Sequence, residues 1–209
     1  STVSRMEQFH QYAPDLAAQA IHNCYKNLEE VTHLITVSCT GLSAPGIDIQ
    51  LIEKLGLKKD IYRTAVNFMG CYAAIHALKQ AYYISSADPS AKILVVCIEL
   101  CTLHFQKNTD KDNTTATMLF ADGAAAVLIC GDQYKQEFPR KLSIEGFQSI
   151  LATEGKHDMA WQLSDTGFLM TLSSYIPKLI ESGIKSLVVK ALAALNIQQE
   201  EIKHWAIHP

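Results

Sequence analysis

The sequence lacks the features that mark several classes of protein. No apolar run approaches the ~20 residues that a membrane-spanning helix needs, and the first residues do not show the pattern of a secretion signal. The net charge is -3, so no basic excess indicates a nucleic-acid partner. None of the six cysteines forms a CxxC pair, and no Cys/His cluster has zinc spacing. These absences predict a cytoplasmic protein with free thiols and without a metal, a nucleic-acid partner or a membrane span.

The chain has 209 residues, of which 48% are hydrophobic and 19% are charged, which is enough to bury a substantial core. Short β-branched runs alternate with stretches of helical periodicity, and this alternation predicts α/β layers. The strands are predicted at residues 32–38, 61–66, 92–97, 123–129, 141–151 and 202–207. The helices are predicted at residues 13–28, 47–55, 71–85 and 171–194. A polar stretch at residues 107–114 is predicted to be a loop, and residues 131–138 a linker between domains 1–131 and 132–209.

One cysteine lies where a predicted strand turns into a predicted helix. Gly70 precedes Cys71, and glycine permits the sharp or left-handed backbone that such a turn requires. The start of a helix offers free N–H groups and partial positive charge, which lower the pKa of a thiol. The pattern therefore marks Cys71 as a candidate nucleophile, although a cysteine that only packs at a helix start would look the same.

A thiolate nucleophile needs a basic or imidazolium partner, and His208 is a candidate. It follows the predicted strand 202–207 and precedes Pro209, which cannot continue a sheet ladder. This places His208 at the carboxyl end of a strand, where α/β sheets hold ligands. A purely structural role for His208 stays open on this ground. Because a domain seldom stops at such a strand, we expect the chain to be a fragment of a longer protein.

Five strings, in order along the chain, resemble the chalcone-synthase-like enzymes, the type III polyketide synthase family. They are VSCTGLSAPGID at residues 37–48, NFMGCYAA at 67–74, VVCIELC at 95–101, LFADGAAA at 119–126 and WAIHP at 205–209. The sequence ELCTLHFQ at residues 99–106 is more similar to bacterial members of the family than to plant ones. The resemblance implies a thiolase-like fold of αβαβα layers with mixed sheets, of which this chain would be a fragment.

The resemblance also implies roles for individual residues. Cys71 would carry the acyl group as the nucleophile, and His208 would be its partner. Phe120 matches the family's gatekeeper phenylalanine. Other positions that line the cavity in the family are matched by Cys39, Thr40, Cys101, His104 and Met170.

The activity implied by the resemblance is an acyltransferase reaction. A homodimeric polyketide synthase would condense an acyl-CoA starter with malonyl-CoA by decarboxylative Claisen condensation through an acyl-cysteine. The product would be an alkylpyrone, an alkylresorcinol or a chalcone-like compound, with no metal or cofactor beyond the CoA thioesters.

Two alternative functions remain open. One is a β-ketoacyl-ACP synthase III-like condensing enzyme, and the other is a non-catalytic, truncated thiolase-like dimerisation subunit. The family's thioester-binding asparagine has no match in this sequence. The activity of the fragment by itself therefore also stays open.

Overall fold

The computed structural model describes residues 1–108, 110–139, 141–173 and 175–208. The chain forms two compact units, Ser1–Lys141 with Trp161–Met170, and Leu142–Ala160 with Thr171–Pro209. The predicted domain boundary between residues 131 and 132 stays a prediction.

A mixed four-stranded sheet forms the centre of the first unit. Its strands are β1 (His33–Ser38), β2 (Tyr62–Asn67), β3 (Lys92–Leu100) and β4 (Asp122–Cys130), in the order β2-β1-β3-β4. Strand β1 runs parallel to β2 and β3, whereas β4 is antiparallel to β3. The carboxyl ends of the three parallel strands therefore meet at one edge of the sheet, where α/β proteins place their sites.

Helices cover both faces of this sheet. In the described part of the first unit the helices are α1 (Thr2–Cys24), α2 (Ile47–Leu55), α3 (Ala73–Ala87) and α4 (Lys111–Leu119), whereas α5 (Ile176–Leu195) belongs to the second unit. Alternate residues of a strand point to opposite faces, so Leu94 and Val96 of β3 join the core with α1 and α2. Ile93 and Val95 join the core with α3 instead. The predicted α/β layering is confirmed in this unit.

Several predicted helix boundaries differ from the structure. Helix α1 begins at Thr2 rather than at residue 13 and contains Pro14 in its interior. The predicted loop 107–114 is wrong, because α4 begins at Lys111 with the Asp110 side chain accepting the Asn113 N–H. Helix α5 begins at Ile176 rather than residue 171, since Pro177 suits the first turn of a helix.

Two predicted strands are wrong. Residues 141–151 and 202–207 contain no strand. Alternating apolar residues form a strand only where a neighbouring strand completes the hydrogen bonds, and in the described part of the chain none pairs with either segment. Strands β5 (Met159–Ser164) and β6 (Gly167–Leu172) form a two-stranded sheet instead, which was not predicted.

Within the first unit, a buried lysine holds the segment that follows β4 in place. Lys92, the first residue of β3, lies 2.9 Å from a carboxylate oxygen of Glu137 and also pairs with Glu30. Its ammonium lies 4.1 Å from the centre of the Tyr134 ring. Residues 131–138, the predicted linker, are thus fixed by a charge-assisted cluster at the amino end of β3.

Within the described ranges, no helix combines the length and the apolar character that crossing a bilayer requires. The same residues contain no group of three or more His, Cys, Asp or Glu side chains placed to hold a metal ion.

Candidate active site

Cys71 lies in the turn between β2 and α3, at the carboxyl end of the parallel strands. Gly70 has a φ of +82°, which confirms the left-handed turn expected before the cysteine, and Phe68 also has a positive φ of +54°. Helix α3 begins at Ala73, two residues later than predicted. Cys71 carries a free thiol; the residue as a whole is exposed, while surrounding atoms partly bury its sulfur.

The pKa of Cys71 is raised, so the prediction of a lowered pKa is wrong for these surroundings. Burial of the sulfur is the largest cause, and the negative charges of Cys39 and Glu99 raise the pKa further. Only a hydrogen bond from its own backbone N–H lowers it. The physical reason is that burial disfavours the thiolate and that a carboxylate, rather than a cation, acts on the sulfur, while the helix starts beyond it.

The carboxylate of Glu99, on β3, fixes the segment that follows β1. It accepts the Cys39 N–H at 2.8 and 3.1 Å and the Thr40 hydroxyl at 2.6 Å. The Thr40 hydroxyl oxygen accepts the Leu100 N–H at 2.9 Å. Burial raises the pKa of Glu99, and these hydrogen bonds oppose that rise. No role was predicted for Glu99; the signal that could have found it is a single carboxylate within an apolar strand.

His104 is buried, and its two ring nitrogens are both occupied by main-chain groups. Nδ1 accepts the Phe168 N–H at 3.0 Å, so the ring proton is on Nε2, which donates to the Thr40 carbonyl at 2.7 Å. Burial lowers the pKa of His104. The ring stacks on Phe168 with 4.2 Å between centroids. His104 is therefore a neutral side chain that joins two segments.

Trp161 of β5 was not predicted as a site residue. Its indole N–H donates to the Cys39 carbonyl at 2.6 Å, and its ring lies edge-to-face on His104 at 5.4 Å. The alternation of apolar and polar residues around Trp161, followed by Asp165 and Gly167, is the turn-bounded strand signal that could have found it.

A cavity of about 350 Å³ lies in the first unit beside this network. Four of the predicted substrate-binding residues line it, namely Cys101, His104, Phe120 and Met170. Trp161 and Phe168 also form its wall. The other two, Cys39 and Thr40, are hydrogen-bonded through their carbonyls to Trp161 and His104.

Contacts through Cys39 link the turn that carries Cys71 to the cavity wall. The pKa of Cys101 rises to about 12, with burial as the largest cause. The negative charges of Glu99, Asp122, Cys71 and Cys39 contribute to the rise. The Cys39 sulfur lies 3.8 Å from the Gly70 carbonyl oxygen, and the Cys39 carbonyl accepts the indole N–H of Trp161, which lines the cavity. These contacts join the turn that carries Cys71 to the cavity wall.

His208 is exposed, belongs to the second unit and lies in no strand. Its predicted partnership with Cys71 stays a prediction. Pro209, which was expected to end the strand, lies outside the described residues.

Comparison with known proteins gives one consistent family. A family profile described as "Chalcone and stilbene synthases, N-terminal domain" matches residues 4–133. The alpha-pyrone synthesis polyketide synthase-like Pks18 of Mycobacterium tuberculosis is 34% identical over 210 residues, covering 98% of this chain and 53% of the relative. The putative chalcone synthase of Bacillus subtilis is 34% identical over 185 residues, covering 87% of this chain and 51% of the relative. The chain spans about half the length of these curated relatives.

Solved structures match the same fold. The C-terminal type III polyketide synthase domain of Steely1, a type I/III hybrid from Dictyostelium, aligns over 95% of this chain and 55% of that domain, with a TM-score of 0.82 and 32% identity. PKS-I from the brown alga Ectocarpus siliculosus aligns over 98% of this chain and 55% of its own, with a TM-score of 0.87 and 29% identity. The chain belongs to the chalcone and stilbene synthase family of type III polyketide synthases and has their thiolase-like fold.

Proposed function

We propose that the whole protein condenses an acyl-CoA starter with malonyl-CoA, with Cys71 as the nucleophile that carries the acyl group. The observation that carries this proposal is a free thiol beside a glycine turn that contacts Cys39, whose carbonyl accepts the indole N–H of Trp161 in the wall of a cavity of about 350 Å³. A nucleophile beside such a cavity can hold a growing acyl chain against its apolar wall.

The proposed reaction has two stages. In the first, the Cys71 thiolate attacks the thioester carbonyl of the starter, the bond to the CoA sulfur breaks, and CoA leaves as a thiolate that takes a proton from water. In the second, malonyl-CoA loses CO₂, and the resulting enolate carbon attacks the acyl-Cys71 carbonyl. The Cys71 sulfur then leaves as a thiolate, and the product is a β-ketoacyl-CoA ready for another round.

The raised pKa of Cys71 bears on its proposed partner. Since burial, Cys39 and Glu99 all disfavour the Cys71 thiolate, ionisation near neutral pH requires a cation beside the sulfur. We assign this role to the imidazolium of His208. The same imidazole would donate a hydrogen bond to the enolate oxygen during condensation.

The cavity lining supports an apolar starter. Phe120, Met170, Trp161 and Phe168 offer hydrocarbon and aromatic surface, which favours burial of an alkyl chain over that of a polar group. Pks18 is named for alpha-pyrone synthesis, and this name supports an alkylpyrone as the product ahead of an alkylresorcinol or a chalcone-like compound.

A second copy of the chain is the proposed partner. Strand β2 lies at the edge of the sheet, and Tyr62 on it and Tyr72 beyond it are exposed, as are Met69 and Ile75 nearby. Exposed edge strands with apolar neighbours are normally covered in folded proteins. Measuring the molar mass by light scattering would test the homodimer, and a monomer at micromolar concentration would contradict it.

Intact-mass spectrometry of the whole protein with a panel of acyl-CoA starters tests the nucleophile. We expect an acyl adduct on the wild type and on the control variant Cys24→Ala, and none on Cys71→Ala. Condensation that persists in Cys71→Ala would contradict the assignment. Replacing malonyl-CoA by malonyl-ACP distinguishes the ketoacyl-ACP synthase alternative, and absence of any adduct on the wild type would favour the non-catalytic subunit.

A further inference from the structure

The first turn of α1 is hydrogen-bonded to the hairpin turn, defined as residues 164–167, which run from the last residue of β5 to the first residue of β6. The Thr2 N–H donates to the Asp165 carbonyl at 2.9 Å. The Thr2 hydroxyl donates to the Ser164 carbonyl and accepts the Gly167 N–H at 2.7 Å. The three hydrogen bonds that Thr2 makes, two as donor and one as acceptor, thus fix the hairpin turn to a helix more than 160 residues earlier in the sequence.

Arg5, one turn further along α1, is bonded to a second segment. Its guanidinium donates to the carbonyl of Leu103 and, at 3.0 Å, to that of Phe105. These carbonyls end the short 3₁₀ helix Cys101–His104, where main-chain oxygens have no partner within the helix. The planar fork of arginine supplies two donors in fixed directions, which one lysine ammonium does not reproduce.

Arg5 also lies against the hairpin turn itself. Gly167 has a φ of +122°, and a Cβ on it would lie 3.0 Å from both Cδ and Nε of Arg5. The arginine side chain therefore fills the space between the end of the 3₁₀ helix and the hairpin turn. The Gln106 side-chain amide spans the same gap, donating to the His104 carbonyl at 3.0 Å and to the Thr166 carbonyl at 3.2 Å.

Both of these segments carry the cavity wall. The 3₁₀ helix supplies Cys101 and His104, and the two strands that leave the hairpin turn supply Trp161 and Phe168. Because His104 accepts the Phe168 N–H and stacks on its ring, a shift of one wall moves the other. Arg5 itself does not line the cavity.

We propose that Arg5 is a positioning residue for acyl specificity, which sets the spacing between the 3₁₀ helix Cys101–His104 and the β5–β6 hairpin and thereby the size of the acyl group accepted. This inference rests on the proposed function of the cavity as the acyl site. An arginine that bridges two walls without touching the ligand changes which ligand fits, rather than the chemistry at Cys71.

The test compares Arg5→Met and Arg5→Lys with the control Lys54→Met in the whole protein. Lys54 pairs with Asp15 of α1 on the exposed surface and does not line the cavity. With acyl-CoA starters of increasing length, we expect Arg5→Met to change the long-to-short ratio of kcat/KM by about tenfold, mainly through KM. Arg5→Lys should give an intermediate ratio, and Lys54→Met the wild-type ratio.

Hydrogen exchange at the Gly167 and Phe168 amides gives a readout that does not depend on activity. We expect both amides to exchange faster in Arg5→Met than in Lys54→Met. If Arg5→Met does not fold, Arg5→Lys carries the same two measurements. Wild-type starter preference together with wild-type exchange at both amides overturns the inference. If the wild type condenses no acyl-CoA, the proposed function fails, and the exchange rates alone decide whether Arg5 positions the two walls.

Discussion

Both oxygens of the Glu99 carboxylate lie within hydrogen-bond distance of the main-chain nitrogen of Cys39, at 2.8 and 3.1 Å. This contact ties the end of β1 to the end of β3 beneath the candidate nucleophile. It also places a negative charge where it raises the pKa of Cys71. Glu99 thus organises the main chain of the site while opposing the thiolate that the proposed reaction uses.

Glu99→Gln tests this buried carboxyl through the pH dependence of stability. Burial raises the pKa of Glu99 above its ordinary value of 4.5, so the folded chain holds the proton more tightly than the unfolded chain does. The resulting stabilisation is fully present below pH 4.5 and is lost as the pH rises through the folded-state pKa. We expect the free energy of unfolding of the wild type, relative to that of Glu99→Gln, to fall as the pH increases through the folded-state pKa of Glu99.

Urea titrations of the two chains between about pH 4 and pH 7 measure the difference. Gln retains one acceptor oxygen for Cys39 or Thr40, so a constant offset between the chains is expected as well. A difference that does not vary with pH would contradict the raised pKa.

His104→Phe keeps an aromatic ring against Phe168 but removes both ring nitrogens. The buried Phe168 N–H and Thr40 carbonyl then lose their partners, which costs about 2–4 kcal/mol in the free energy of unfolding. Because burial lowers the pKa of His104 below its ordinary value of 6.5, the wild type should lose stability as the pH falls below 6.5.

Denaturation of His104→Phe at pH values on both sides of 6.5 checks both effects. The acid-induced loss attributable to this imidazole should be absent in the variant. An unchanged free energy of unfolding would mean that the two main-chain groups find other partners.

Lys92→Met removes the cation that Glu30 and Glu137 share. We expect a lower thermal midpoint and faster proteolysis within residues 131–138, since two carboxylates would face each other without a counter-charge. Lys135→Met is the matched control, because Lys135 pairs with Asp132 on the exposed surface, where such pairs contribute about 0–1 kcal/mol. Equal midpoints and equal cleavage in the two variants would argue against the role of Lys92.

Gly131→Ala and Gly123→Ala form a second matched pair, at the two ends of β4. A Cβ on Gly131 would lie 2.3 Å from the main-chain oxygen of Pro89, whereas a Cβ on Gly123 would meet nothing within 4 Å. We expect Gly131→Ala to lower the free energy of unfolding by about 1–3 kcal/mol and Gly123→Ala to change it by less than about 1 kcal/mol. Equal effects, measured by urea denaturation, would contradict the close approach at Gly131.

The sequence determined the elements whose stability is local or comes from simple burial. Helix α2 was predicted at residues 47–55, where the structure has Ile47–Leu55, because its apolar spacing and the following Gly56 define both ends. The core strands were predicted for a similar reason, since their β-branched runs can be buried on both faces. The glycine turn before Cys71 could also be predicted from the sequence, because only a few residue types tolerate its backbone angles.

The tertiary structure decided what depends on contacts between distant residues. The strands predicted at 141–151 and 202–207 failed because pairing needs a partner that periodicity does not reveal. The pKa of Cys71 was predicted with the wrong sign, because folding partly buries the sulfur and brings Glu99 of β3 and Cys39 at the end of β1 near it. The hydrogen bonds of Glu99 to Cys39 and of Arg5 to Leu103 join residues 60 and 98 positions apart. No local pattern encodes such bonds, since folding alone brings their donors and acceptors together.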